Sequence, residues 1–397
     1  MAHETLGRRD VYWGCVCKTN FLSLYRSNGL WGNCRNYFLT LVHHYFSYLL
    51  PPYEFELIGF LRIFVLIMKH IFKISLVFVF ALAVFFYKPQ PIASWGFFGH
   101  KQINRMAVFT LPIEMSGFYK KHIDYITEHA VDPDKRRYGV EGEAERHYID
   151  IDHYGPNAFN EVPIFWKKAV EKYTEDTLKA YGINPWHVDK MMYRLTEAFK
   201  KENIDLILHY SADLGHYIAD GHVPLHTTEN YNGQLTGQRG IHGFWESRIP
   251  ELKSTSYDFF IGKAFYIEKP IVAAWQTIKE SNAAVDSVLG FERDLNAKYP
   301  VDKKYGYETR GAMTIKTYSQ EYTNTYDEMI KGQVERRMRK SIIMVGSAWY
   351  TCWVNAGKPN LDKMGDKEVS DSLLLVQKKE EELYQQHKEK SVKGHDD

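Results

Sequence analysis

From residue 95 to about 360 the apolar side chains recur every three to four positions, and runs of alternating β-branched residues are nearly absent. That spacing commits the stretch to helices that bury one stripe each against one another. The segments 163–181, 187–201, 204–220, 271–289 and the long 315–356 show it best, filled with Ala, Leu, Lys, Glu and Met. Gly182, Pro185, Gly221, Pro250, Pro270 and Gly357 stand at the joints, where glycine and proline stop helices. The best exception is the short Tyr148-Ile149-Asp150-Ile151. The expected fold is therefore all-α, a compact multi-helix domain over residues 95–360. Residues 361–397, closing on KKEEELYQQHKEKSVKGHDD, read as a polar tail, a solvated helix.

The part before residue 95 has a different character. Residues 57–87 form the one strongly apolar tract, interrupted by Arg62, Lys69, His70 and Lys73. From Met68 the order is that of an export signal: basic Lys69 and Lys73, the apolar run 74–87, then Ala93-Ser94. That run is short for a membrane span, which needs about 20 residues. The expected arrangement is an upstream or non-native extension over 1–67, with translation starting at Met68. A signal peptide then covers 68–94, and cleavage near Ser94/Trp95 exports the body. An uncleaved anchor through 57–87 is the alternative. Of 50 Lys/Arg and 49 Asp/Glu, 9 and 4 precede Trp95, so the remainder carries a net −4. A broad electrostatic track for polyanions is excluded, and any phosphate must be held by local features. Cys15, Cys17 and Cys34 lie early, with no second pair at zinc-finger spacing, and Cys352 sits alone in an aromatic stretch as a buried filler.

Thirteen of the 17 histidines follow residue 95. The densest stretch, HYSADLGHYIADGHVPLHTTENY, places His216 and Asp220 four apart, one turn apart on one helix face. His226 follows across a Gly221–Pro224 turn, and His242 and Glu246 repeat the four-residue spacing. One such pair is commonly a surface contact. Two joined through His226 have the form of a metal site, in which rigid helices fix imidazole and carboxylate angles. Upstream lie Trp95, His100, Asp132, Asp134, His147, Asp150, Asp152 and His153. His209 and His222 read as packing or turn residues, and His153, Asp150 and Asp152 as supports for ligands or caps.

The order Trp95, His100, Asp134, His147, then His216-x-x-x-Asp220-x5-His226, then His242-x-x-x-Glu246 resembles the zinc-dependent phospholipase C and single-strand-specific nuclease superfamily. The resemblance spans most of 95–360. It implies an exported, all-helical phosphodiesterase with a trinuclear zinc cleft, hydrolysing a phosphodiester with zinc-activated water. By that resemblance one zinc falls to Asp134, His147 and His216 with Asp220. A second falls to the Trp95 amine and carbonyl and to His100, bridged by Asp220. A third falls to His226, His242 and Glu246. Asp134, Asp220 and Glu246 become the catalytic carboxylates, and Asp134 is favoured over Asp132 for its Pro-Asp-Lys-Arg context. Family nucleases tend to end in His-x-x-x-Asp after a Gly-Gly-Asn-like segment, whereas this chain carries Glu246 after GQLTGQRGIHGF. A phospholipid is thus the favoured substrate, with transient membrane contact, and single-stranded nucleic acid is the alternative. Phe98 and Lys135 depart from the pattern of choline-preferring members. Lys135-Arg136-Arg137 suits an anionic group or is a solvated basic turn, and Phe97 and Phe98 line an apolar channel or join the core. No obligate protein partner is implied. A noncatalytic, membrane-tethered metal-binding protein is the reading of a different class.

Overall fold

The computed structural model describes residues 68, 96–310, 313–364 and 368–387. The chain separates into two units, Met1–Pro89 and Gln90–Asp397. The extension, nearly all of the signal segment, the early cysteines and Trp95 itself lie outside the described residues. Among the described residues no helix is long and apolar enough to cross a membrane.

The second unit is mostly helical. In chain order it runs α1 (Gly96–Ala107), α2 (Ile113–Lys121), α3 (Ile123–Glu128), α4 (Asp132–Arg136), α5 (Ala158–Glu161), α6 (Trp166–Tyr173) and α7 (Glu175–Ala180). Then come α8 (Asn184–Lys200), α9 (Ile204–Gly221), a π-helical turn (Gly243–Arg248), α10 (Ile249–Lys253), α11 (Pro270–Asn282), α12 (Val285–Asn296) and α13 (Val301–Lys304). A hairpin of β1 (Tyr305–Arg310) and β2 (Met313–Tyr318) precedes α14 (Gln320–Met329), α15 (Gln333–Asn355) and α16 (Asp371–His387).

Helix α9 organises the core. Asn203 caps its start by accepting from the Leu206 amide at 3.1 Å. From Ser211 to Gly221 every residue is buried, as expected of a central helix. Yet Asp213, His216 and Asp220 are among them, and buried polar groups of this kind require partners. Around α9, Phe118, Tyr119, Leu208, Leu214, Ile342, Val345 and Trp349 form the main apolar core. The Trp349 indole stacks on Tyr119 at 4.9 Å and donates to the Ser211 carbonyl at 3.0 Å. A smaller cluster gathers Ile149, Ile151, Leu178, Trp186, Trp275 and Ile278. Cys352 is buried with its sulfur 3.2 Å from the Met192 carbonyl, and burial pushes the thiol up to about 12.

Gly215 decides how near α1 comes to α9. Asn104 of α1 donates to the Ala212 carbonyl at 3.0 Å, and a Cβ on Gly215 would lie 2.0 Å from the Asn104 side-chain oxygen. Only a residue without a side chain admits that contact.

The body is mostly helical, as expected; the departure among the described residues is a short hairpin, in which β1 and β2 pair antiparallel with Tyr305 opposite Tyr318 and Glu308 opposite Ile315. Tyr305, Tyr307, Thr309, Ile315 and Thr317 supply aromatic and β-branched side chains suited to strands. The long helix over 315–356 is correspondingly a strand end and two helices, α14 and α15, divided at Lys331 and Gly332, whose φ values are 52 and 65. Tyr148-Ile149-Asp150-Ile151 is not a strand: it runs irregularly into a 3₁₀ turn, with the Ile149 amide donating to the His226 carbonyl. Lastly, part of the polar tail is the docked helix α16, with Gln377 buried and Glu381 paired to Lys135 at 2.9 Å. Its polar stripe meets basic residues of the body, which makes it look solvated in sequence.

Candidate metal centre

Helix α9 presents His216 and Asp220 on one face, one turn apart, as the spacing requires. Three other segments converge on them. The irregular chain before Tyr148 brings His147, whose Nδ1 lies 3.0 Å from both Asp220 Oδ2 and His216 Nε2. His216 Nε2 is 3.2 Å from the same Asp220 oxygen. Helix α4 adds Asp134, with Oδ1 3.7 Å from His147 Nδ1 and 3.6 Å from His216 Nε2. Helix α1 adds His100, with Nε2 3.2 Å from the other oxygen of Asp220.

The 3₁₀ turn Pro224–Thr227 and the π-helical turn build a neighbouring group. His226 Nε2 and His242 Nε2 are 3.2 Å apart, and Glu246 Oε2 is 3.1 Å from His242 and 3.4 Å from His226. A π turn widens the helix locally and recurs at functional sites. The hairpin fixes this one: Arg248 donates to Glu308 and, at 3.0 Å, to the Tyr318 carbonyl, while Phe244 stacks on Tyr318 at 4.0 Å. Asp220 Oδ1 lies 4.0 Å from His226 Nε2 and so links the two groups.

These spacings suit a cation. Four donors about 2.0–2.1 Å from a tetrahedral zinc ion lie roughly 3.3 Å from one another, and the distances above scatter around that value. Among the described residues three such groups stand out: His100, His216 and Asp220; Asp134, His147 and His216; and His226, His242 and Glu246. The hydrogen bonds orient the donors. His216 Nδ1 lies 2.8 Å from the Ala130 carbonyl and His226 Nδ1 2.8 Å from the His147 carbonyl. A carbonyl only accepts, so both Nδ1 atoms carry protons and the Nε2 atoms are the ones that face the cluster. His100 Nδ1 and His147 Nε2 are buried with no hydrogen-bond partner.

The electrostatics favour positive charge there. Burial pushes the Asp134 carboxyl up, against His216 and His100. Burial also opposes charge on Asp220 and Glu246, but the facing imidazoles outweigh it and hold both below the usual carboxylate range. His216, despite its burial, is raised to about 9 by Asp220 and Asp134. Burial drives His147 well below its ordinary value in spite of Asp220.

Asp134 rather than Asp132 faces the cluster; Asp132 pairs with His129 at 2.6 Å and with Lys135 at 3.5 Å. Of the nine residues expected as ligands, eight come together, and Trp95 lies outside the described residues. Gly96, its successor, sits where a Cβ would be 3.2 Å from Asp134 Oδ2 and 3.6 Å from Glu246 Oε1. His153 stacks on Tyr181 at 3.2 Å, away from the cluster, and His209 lies 3.6 Å from Asp213. His222 is buried and bonded to the Ile218 carbonyl. Asp152 accepts from the Thr228 hydroxyl at 2.6 Å and the Glu229 amide at 3.1 Å, which fixes the chain just after His226. Asp150 is buried near His226, with its carboxyl raised to about 8 by burial and by Asp152 and Glu229.

The basic triplet is not a solvated turn. Lys135 is tied to Asp132 and Glu381, and Arg136 is buried against Asp213 at 2.6 Å and Glu143 at 3.5 Å. Arg137 is buried as well, within electrostatic reach of Asp134 and His147. Phe98 is 36% exposed, so it is no part of the core. Sequence reasoning missed Glu143. It is buried, accepts from Arg136, Arg146 and the Tyr217 hydroxyl, and approaches His147 Nε2 at 3.9 Å. Its signal was its position four residues before His147. No family model matches this chain, and no curated protein is significantly similar to it.

Proposed function

We propose that this chain is a zinc-dependent phosphodiester hydrolase of the zinc-dependent phospholipase C and single-strand-specific nuclease superfamily, acting in the phospholipase C manner. The observation that carries the proposal is the sharing of Asp220. Its two oxygens face different imidazoles, His100 on one side and His147 and His216 on the other. Adjacent ion positions joined by one carboxylate suit in-line displacement at phosphorus, where the attacking and leaving oxygens both need stabilisation. Imidazole and carboxylate donors at near-tetrahedral spacing suit zinc.

Zinc held by these residues supplies Lewis acidity, making water acidic near neutral pH and offsetting phosphoryl charge. The protein's own groups do the rest. Asp134, 15% exposed at its side chain and raised by burial, is placed to take a proton from attacking water. Arg137 adds positive charge beside it. His226, His242 and Glu246 form the separate group suited to a phosphate oxygen or the leaving group. Glu246 in place of aspartate favours a phospholipid over a polynucleotide.

Export enters the same proposal. Amide nitrogen is a poor ligand, so Trp95 gains a chelating amine only when the chain is cut after Ser94, and Gly96 already sits beside Asp134 and Glu246. Zinc content and diesterase turnover should be measured on precursor and processed protein, with phosphatidylcholine vesicles, single-stranded DNA and bis-p-nitrophenyl phosphate as substrates, each with and without chelator. Processed protein is expected to carry one more zinc than precursor and to cleave the vesicles in a chelator-sensitive way. Chelator-insensitive turnover, or none on any substrate by zinc-loaded processed protein, would overturn the hydrolase. DNA cleavage alone would move the chain to the nuclease branch, and equal zinc in both forms would remove Trp95 from the site.

A further inference from the structure

Asp134 is the least secured of the clustered donors. It is the most exposed of them and stands farthest from its neighbours, at 3.6 and 3.7 Å. It rides on α4, a five-residue helix with no side-chain cap at its start. Helices that short do not hold themselves together, so the position of Asp134 is set by what packs around α4. On the inner side that is Arg136 against Asp213 and Glu143. On the outer side it is α16, which presents Gln377, Glu380, Glu381 and Tyr384 at helical spacing along one face.

Each of those four reaches the ground around Asp134. Gln377 donates to the Tyr125 hydroxyl at 2.7 Å, Glu380 accepts from Arg136 at 3.5 Å, and Glu381 accepts from Lys135 at 2.9 Å. The Tyr384 ring packs against Tyr138 at 5.5 Å and Phe97 at 6.4 Å. Gly139 marks how close the helix comes, since a Cβ there would sit 3.1 Å from Leu383 Cβ. Helix α16 thus grips Lys135 and Arg136, the two residues that follow Asp134, together with Tyr125 and the start of α1.

We infer that α16 is a clamp that positions Asp134 and thereby sets how tightly the Asp134–His147–His216 position holds its metal ion. The inference rests on the metal-centre reading above. It makes Gln377, Glu380, Glu381 and Tyr384 positioning residues acting through α4, about 240 residues away in sequence. Exposed ion pairs alone stabilise little. Residues that orient metal ligands matter more, changing metal affinity by about 10–100-fold.

The test compares zinc-loaded wild type, a chain ending at Lys367, and Gly139→Val, which keeps every charge and every ligand but wedges α16 away. Zinc is withdrawn by titration with a chromogenic chelator and counted by equivalents, with circular dichroism and thermal melting recorded alongside. In both variants one equivalent should leave at a chelator concentration about tenfold lower or more, the others leaving as in wild type. Asp134→Asn should weaken the same single equivalent in wild type and add nothing in either variant. A lower melting temperature with an unchanged withdrawal profile would show a merely structural helix and overturn the inference. If the truncated chain does not fold, Gly139→Val carries the same two outcomes. Wild type that takes up no zinc overturns the metal centre itself and the clamp with it, so the two failures look different.

Discussion

Asp220 turns its two oxygens toward different imidazoles, whereas Glu246 serves only the His226–His242 group. Replacing them should therefore have unequal effects. Asp220→Asn is expected to lose more than one zinc equivalent and Glu246→Gln a single one, read by metal analysis of the purified variants. Turnover on bis-p-nitrophenyl phosphate should fall at least about 10²-fold in the first. A second expectation concerns protons. His222 is lowered to about 3 by burial and by Arg337. Below the ordinary histidine value of 6.5 the unfolded chain binds a proton that the folded chain refuses, so stability falls as pH drops from about 6.5 toward 3. Urea unfolding of His222→Gln across that range should show a shallower acid slope than wild type. At this scale the candidate ligands were readable because helical spacing fixes geometry, as with His216 and Asp220. The choice of Asp134 over Asp132 depends on how a five-residue helix is rotated, and the support from Glu143 depends on a loop. Neither rotation nor loop path is encoded by periodicity.

Between elements, the decisive contact is Asn104 against Gly215, which lets the helix bearing His100 lie close enough to reach Asp220. Gly215→Ala puts a methyl group into the Asn104 amide and should cost about 1–3 kcal/mol in denaturant unfolding. Asn104→Ala in the same chain should recover part of that loss by making room, although it leaves the Ala212 carbonyl without this donor. The same scale explains where sequence reading fell short. Helices α8 and α9 were foreseen within a few residues, since each has a long apolar stripe, whereas the segments 163–181, 271–289 and 315–356 each divide into two helices. The hairpin was not foreseen, because its strands are six residues each and adjoin helical pattern on both sides. Its contribution is tertiary: through Glu308 and Tyr318 it pins Arg248, two residues beyond Glu246.

For the molecule as a whole, the clustered side chains come from positions between His100 and Glu246, so any ion they share ties distant parts of the fold together. Zinc is then expected to raise the melting temperature and chelator to lower it. At free zinc 100 times the dissociation constant, one site adds about 2.7 kcal/mol, measurable by calorimetry at fixed pH. A melting temperature indifferent to zinc would count against the site. Helical class and the order of candidate ligands were legible across the body. The docking of α16 was not, because its charged face is complementary to another surface and reads as solvent-facing when taken alone.

The Nδ1 atoms of His216 and His226 are steered by carbonyls of Ala130 and His147. Main-chain oxygens belong to every amino acid, so no point substitution at either steering position can delete the acceptor. The aim of those two rings is therefore inherited with the path of the polypeptide, leaving nearby side chains at liberty to diversify and reshape what the hollow admits without dismantling it.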